Sequence, residues 1–76
     1  MIYTKEELIL IFEAAGLSIP AMEVDPEYWT GVRCQWAVDE EDRFEEADEI
    51  KEALSGGPLR NYKIYTTIGL VEIYVD

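Results

Sequence analysis

The stretch NYKIYTTIGLVEIYVD, residues 61–76, decides the fold because it is rich in β-branched and aromatic residues. Such residues favour strands, and the stretch predicts two of them, Tyr62–Thr66 and Leu70–Val75. Gly69 lies between the two strands, where glycine can take the positive φ angle of a tight turn. This part of the chain is therefore predicted to be an antiparallel hairpin.

Upstream of the hairpin, a third strand is predicted over residues 32–38, where apolar positions alternate with Arg33, Gln35 and Ala37. A period of two is typical of a half-buried strand, and it turns Cys34 and Trp36 inward. Burial raises the pKa of a thiol, so Cys34 is expected to be unreactive.

The first helix is predicted over residues 4–15. Thr4 and Glu7 form the spacing of a capping box, in which each side chain satisfies a backbone N–H at the helix start. Apolar residues then recur every three or four positions, and Gly16 provides the left-handed residue that ends a helix.

A second helix is predicted over residues 42–54, inside the acidic stretch. One apolar stripe runs along it at spacings of three and four: Phe44, Ala47, Ile50 and Leu54. Asp39 or Asp42 is expected to cap its start, and the SGGP of residues 55–58 to end it.

The resulting prediction is a single α+β domain covering residues 1–76, with the order α-β-α-β-β. A three-stranded, mostly antiparallel sheet would carry both helices on one face. Residues 17–30 are predicted to be irregular, because Pro20 and Pro26 interrupt regular structure.

Charge restricts the partners of this chain. Seventeen acidic residues against six basic ones give a net charge of −11, which argues against direct binding to nucleic acid or to anionic lipid. The apolar run at residues 8–12 is too short for a membrane span. A single cysteine suits a reducing compartment, so a cytoplasmic location is expected.

Residues that carry catalysis or bind metals are scarce. The chain has no histidine, the commonest general base at neutral pH, and no histidine or cysteine cluster for zinc. In the segment DEEDRFEEADEI, Phe44 occupies the position at which a calcium loop needs glycine. We therefore expect no enzyme activity, no cofactor and no dedicated metal site.

The acidic stretch itself is the main candidate for function. Residues 39–52 hold nine carboxylates and two cations, a net charge of −7 over about 21 Å of helix, or one charge per ~3 Å. One nucleic-acid strand carries one charge per ~3.4 Å. The plainer interpretation is a solvated helix face. The predicted partner-binding acids are Glu41, Glu45, Glu46, Asp48, Glu49 and Glu52.

Aromatic residues suggest a second contribution to binding. Tyr28 and Trp29 are adjacent in a predicted loop, so one core cannot easily bury both. They are either core anchors or an interface hot spot, in which tyrosine and tryptophan are enriched. Tyr62 and Tyr74, expected on the outer face of the sheet, raise the same question.

These features favour a small inhibitory protein that occupies a basic nucleic-acid-binding surface of a larger partner. In length, charge and its acidic helix EDRFEEADEIKEAL, the chain resembles the small acidic proteins with which phages block host defences, including DNA-mimic anti-restriction and anti-CRISPR proteins. That resemblance implies a phage-encoded anti-CRISPR protein that blocks a CRISPR effector complex, whose basic grooves hold guide and target strands.

Two other functions fit the same sequence. The chain could be an acidic accessory or antitoxin-like subunit that regulates a basic protein without mimicking nucleic acid. In that case the strand Leu70–Val75, if it lies at the sheet edge, would pair with another chain. It could also be a homodimer whose charge serves solubility only.

Overall fold

The computed structural model describes residues 3–24, 27, 31–59 and 61–76. Along these ranges the elements are, in order, α1 (Lys5–Ala14), β1 (Ala21–Glu23), β2 (Val32–Ala37), a 3-10 turn (Glu40–Asp42), α2 (Arg43–Ser55), β3 (Tyr62–Thr67) and β4 (Leu70–Val75). The predicted α+β class is confirmed, and the helices and the hairpin begin and end within one residue of the predicted bounds.

Both ends of α1 are held by the predicted local bonds. The Glu7 N–H donates to Thr4 Oγ1, and the Thr4 N–H donates to Glu7 Oε1, each at 3.2 Å. At the other end Gly16 has a φ of 78°, and the Leu17 N–H donates to the Phe12 carbonyl oxygen at 2.9 Å. These bonds satisfy backbone groups that a helix end would otherwise leave without partners.

The sheet has four strands in the order β1-β2-β4-β3, and each neighbouring pair is antiparallel. Strand β4 is interior, so Leu70–Val75 does not meet the condition, a place at the sheet edge, under which it would pair with another chain. Its alternate residues Val71, Ile73 and Val75 have no exposed surface and face the core. In the β3–β4 hairpin Gly69 takes a φ of 77°, as predicted.

Strand β1 corrects the predicted three-stranded sheet to four strands. It lies in the segment predicted to be irregular, and only Met22 turns inward, opposite Cys34. The strand has three residues, and Ala21 and Glu23 are exposed, so its sequence is too short to show an alternation of apolar and polar residues. The strand therefore depends on pairing with β2, a non-local contact that a local pattern does not report.

One core lies between the helices and the inner face of the sheet. The sheet contributes Val32, Cys34, Trp36, Val71, Ile73 and Val75, and the helices contribute Leu8, Phe12, Ala47, Ile50 and Leu54. Burial raises the pKa of the Cys34 thiol to about 12, as expected for an inert cysteine.

Phe44 does not belong to the apolar stripe of α2, contrary to the prediction. Its side chain is 63% exposed and lies against the guanidinium of Arg43, 4.9 Å from the ring centroid. Each step of three residues turns back by about 60° around a helix, so Phe44 lies about 120° from Ile50. The half-buried Arg43 occupies the position in line with Ala47 and Leu54.

Tyr62 also differs from its predicted place. It lies opposite Val75 on the inner face and packs partly buried against the core, whereas Tyr74 lies on the outer face as expected. The Tyr62 hydroxyl donates to the Lys51 carbonyl oxygen at 3.5 Å. Asp39 and Asp42 stand at the start of the 3-10 turn and of α2, but neither side chain makes the predicted capping bond.

Candidate partner-binding surface

Four carboxylates form one row on α2, which we term the acidic ridge: Glu45, Asp48, Glu49 and Glu52. Glu45–Asp48 and Glu49–Glu52 are three residues apart, and Glu45–Glu49 and Asp48–Glu52 are four apart, so all four lie on one side of a helix that turns about 100° per residue. That side is opposite Ala47, Ile50 and Leu54, which face the sheet. All four ridge residues are exposed, so the core turns the whole row towards solvent.

The spacing along the acidic ridge is close to that of a phosphate backbone. From Glu45 to Glu52 the helix rises about 10.5 Å, so the four charges are on average about 3.5 Å apart along the axis, against ~3.4 Å for one nucleic-acid strand. Among the described residues no cation pairs with them, since the two ion pairs found there are Arg33–Glu23 and Arg43–Glu40. The ridge therefore presents uncompensated negative charge.

The other two predicted acids stand apart from the ridge. Glu41 is exposed in the 3-10 turn before α2. Glu46 is half-buried on the flank of α2 that faces β2, where it lines a shallow groove of about 380 Å³ together with Trp36 and Asp42. The structure thus gathers four of the six predicted acids and turns Glu46 away from them.

The two predicted hot-spot aromatics, Tyr28 and Trp29, lie outside the described residues. Their part in the proposed interface stays a prediction from the sequence.

The outer face of the sheet is a second exposed surface with a different character. Tyr65 and Tyr74 meet edge to face there, with ring centroids 5.5 Å apart. Glu72 accepts hydrogen bonds from Gln35 Nε2 at 2.7 Å and from the Tyr74 hydroxyl at 3.3 Å. Arg33 and Lys63 balance Glu23 and Glu72 on this face, so it is neutral while the acidic ridge is strongly negative.

The separation of charge is also visible in the sequence, as a long segment without acidic residues. Residues 53–71 contain no acidic residue, although the chain has 17 in 76 positions, and they contain the cations Arg60 and Lys63. This run covers the end of α2, all of β3 and the start of β4. Negative charge is thus concentrated on α2, while strand β3 itself carries none.

The described residues offer no group of three acidic or cysteine side chains arranged to hold a metal ion. In the same ranges, neither helix has the length and apolar character that a membrane crossing requires. Comparison with protein-family models, with curated proteins and with solved structures finds no match for this chain.

Proposed function

We propose that this chain is an inhibitory protein whose acidic ridge occupies a basic nucleic-acid-binding groove of a larger partner. The observation that carries the proposal is the row formed by Glu45, Asp48, Glu49 and Glu52, which is exposed, free of ion pairs among the described residues and similar to a phosphate backbone in mean charge spacing. Lysine and arginine side chains that normally bind a phosphate backbone would bind these carboxylates instead.

The composition of α2 supports the same function, because its like charges lower the stability of the helix. Glu45 and Glu49 lie four residues apart, and like charges at that spacing destabilise a helix by some tenths of a kcal/mol. Glu49 and Glu52, three apart, repel in the same way. A helix selected for stability alone would alternate its charges, so the ridge is better explained by what it binds.

The partner class that we favour is a CRISPR effector complex. Such complexes hold guide and target strands in long positively charged channels, which an acidic ridge on a small rigid domain would fit. The chain would then be phage-encoded and act in the host cytoplasm. Association would be fast and sensitive to salt, because opposite charges steer the encounter.

The test compares two double variants that change net charge equally. Glu45→Gln/Glu49→Gln removes two charges from the acidic ridge, and Glu6→Gln/Glu13→Gln removes two exposed charges from α1. Each variant is titrated into a panel of guide-loaded CRISPR effector complexes, and binding of labelled target DNA is measured at low and high salt.

We expect the ridge variant to inhibit about tenfold less well than the α1 variant, with wild-type inhibition lost as salt is raised. The proposal is overturned if no member of the panel is inhibited, or if the two variants lose inhibition equally. If no complex is inhibited, the proposed partner class is wrong. If the two variants lose inhibition equally, the acidic ridge is not the binding surface.

A further inference from the structure

Strand β3 forms the longer of the two edges of the described sheet. Strand β1, at the opposite edge, has three residues, and its Glu23 is paired with Arg33. Strand β3 has six residues, Tyr62–Thr67, and Lys63 is its one charged side chain. An edge strand leaves the amide and carbonyl groups of every second residue without ladder partners, which makes it a template for another strand.

We propose that a second copy of this chain pairs with that edge through its own β3, so that two four-stranded sheets join into one of eight strands. This pairing concerns self-association alone and does not rest on the partner proposed above. Its first support is charge. A chain of net charge −11 repels its copy over most of its surface, but β3 lies within the acid-free residues 53–71.

The register proposed for β3 paired with itself is centred on Ile64. A two-fold axis perpendicular to the sheet keeps the inner faces of both copies on the same side, so residues that meet must have the same parity. With Ile64 opposite Ile64 of the other copy, Lys63 meets Tyr65 on the outer face and Tyr62 meets Thr66 on the inner face. The alternative centred on Lys63 would set two ammonium groups opposite each other, which destabilises a strand pair.

The helix layer has room for the same arrangement. Helix α2 packs on both β3 and β4. If its axis runs midway between these two strands, the two α2 axes of the pair would be about 10 Å apart, which is half a strand spacing on each side plus one spacing between the two β3 strands. Helices pack at interaxial distances of ~8–10 Å, so the second α2 would arrive in packing contact.

The middle of the α2 flank that would face the second copy contains no residue of the acidic ridge. Ala53 lies on the flank towards α1, where it lines a groove with Leu10 and Ala14. Lys51 is about 200° around the helix from Ala53, and Phe44 is about 20° from Lys51, so both lie on the flank above the β3 edge. Two-fold symmetry makes the helices antiparallel, which brings the exposed Phe44 of one copy towards Lys51 of the other.

The test is an engineered charge clash at one cross-strand pair. In Tyr65→Lys, the new lysine meets Lys63 of the other copy at two symmetric positions, while within its own hairpin it lies opposite Glu72 and keeps a favourable pair. The double variant Lys63→Glu/Tyr65→Lys converts both intermolecular contacts to opposite charges. Ala37→Lys adds the same charge on the outer face of β2, away from β3, and serves as the matched control.

Sedimentation velocity from about 1 µM to about 1 mM measures the monomer and dimer fractions of each protein. We expect the wild type and Ala37→Lys to dimerise, Tyr65→Lys to weaken dimerisation about tenfold, and the double variant to restore it. Dimerisation should strengthen between about 0.05 and about 0.5 M salt, because the copies repel each other.

Circular dichroism of each variant shows whether the monomer keeps its fold. A wild type that stays monomeric over the whole range overturns the proposal. So does a folded Tyr65→Lys variant that dimerises as the wild type does. Because binding to a basic partner weakens with salt and self-association strengthens, failure of one proposal is distinguishable from failure of the other.

Discussion

Phe12 on α1 and Trp36 on β2 meet edge to face, with ring centroids 5.2 Å apart and planes inclined at 73°. Edge-to-face pairs place the positive rim of one ring against the negative face of the other. The Trp36 indole N–H also donates to the Ser18 carbonyl oxygen at 2.8 Å, which joins the segment after α1 to the same side chain. This contact attaches α1 to the sheet.

We therefore expect Phe12→Ala to lower the free energy of unfolding by about 3–5 kcal/mol, the usual cost of removing a buried phenyl ring. In a domain of this size such a loss approaches the total stability. Leu10→Ala, at a position 67% exposed on the same helix, should change it by less than about 0.5 kcal/mol. Urea unfolding followed by tryptophan fluorescence measures both, and equal losses would show that Phe12 is not the anchor.

Elements with local signals were predictable from the sequence. Thr4, Glu7 and Gly16 bound α1 through bonds within a few residues, and alternating apolar residues mark β2 and the β3–β4 hairpin. Strand β1 was not predictable, because its three residues acquire strand structure only by pairing with β2. The place of Tyr62 depends on register, and one residue of shift moves a side chain to the other face.

The acidic ridge was predictable for a related reason. Helical periodicity places Glu45, Asp48, Glu49 and Glu52 on one side whatever the helix packs against. The spacing of three residues from Phe44 to Ala47 and from Ala47 to Ile50 suggested that Phe44 continued the buried stripe. Two such steps rotate by about 120° around the helix, so Phe44 lies exposed on its flank. The neutral outer face of the sheet could not be predicted, because it depends on the strand order, which no local pattern of this chain encodes.

Gly31 occupies a position where no side chain fits. A Cβ built there would lie 1.9 Å from the carbonyl oxygen of Val75, a backbone atom that cannot rotate aside. We expect Gly31→Ala to destabilise the protein by about 3 kcal/mol, at the upper end of the cost of overpacking. Gly56→Ala is the matched control, because nothing lies within 4 Å of its Cβ and its φ is −94°.

At Gly56 the substitution should be neutral or stabilise by up to about 1 kcal/mol, since alanine restricts the unfolded chain. Thermal unfolding followed by circular dichroism measures both variants. Similar melting temperatures for the two would contradict the close approach of Gly31 to Val75.

Cys34 predicts a loss of stability at alkaline pH. Burial raises its pKa from 9.0 to about 12 in the folded chain, so the folded state holds the thiol proton more tightly than the unfolded state does. The contribution is fully present below pH 9.0 and is lost as the pH rises towards about 12, because the unfolded chain ionises first.

The measurement is urea unfolding of the wild type and of Cys34→Ala between about pH 8 and about pH 10.5. All other side chains are the same in both proteins, so the difference between the two isolates the thiol. We expect the advantage of the wild type over Cys34→Ala to shrink as the pH rises. A constant difference would mean that Cys34 has the same pKa in both states.

The acidic ridge predicts that one charge reversal makes the protein more stable. In Glu49→Lys the new cation lies four residues after Glu45 and three residues from both Glu46 and Glu52, so three repulsive pairs become attractive. Each pair loses a repulsion and gains an attraction of a few tenths of a kcal/mol, so the total gain should be about 1–2 kcal/mol at low salt. Glu49→Gln removes the repulsion without adding attraction and should fall between the wild type and Glu49→Lys.

Urea unfolding at about 0.02 and about 0.5 M salt separates this effect from packing, because screening reduces interactions between exposed charges. The three proteins should converge in stability at high salt. Should the wild type prove more stable than Glu49→Lys at low salt, the Glu49 carboxylate would be making a stabilising contact within the chain. The ridge would then be accounted for by the fold itself, and its availability to a basic partner would lose its main support.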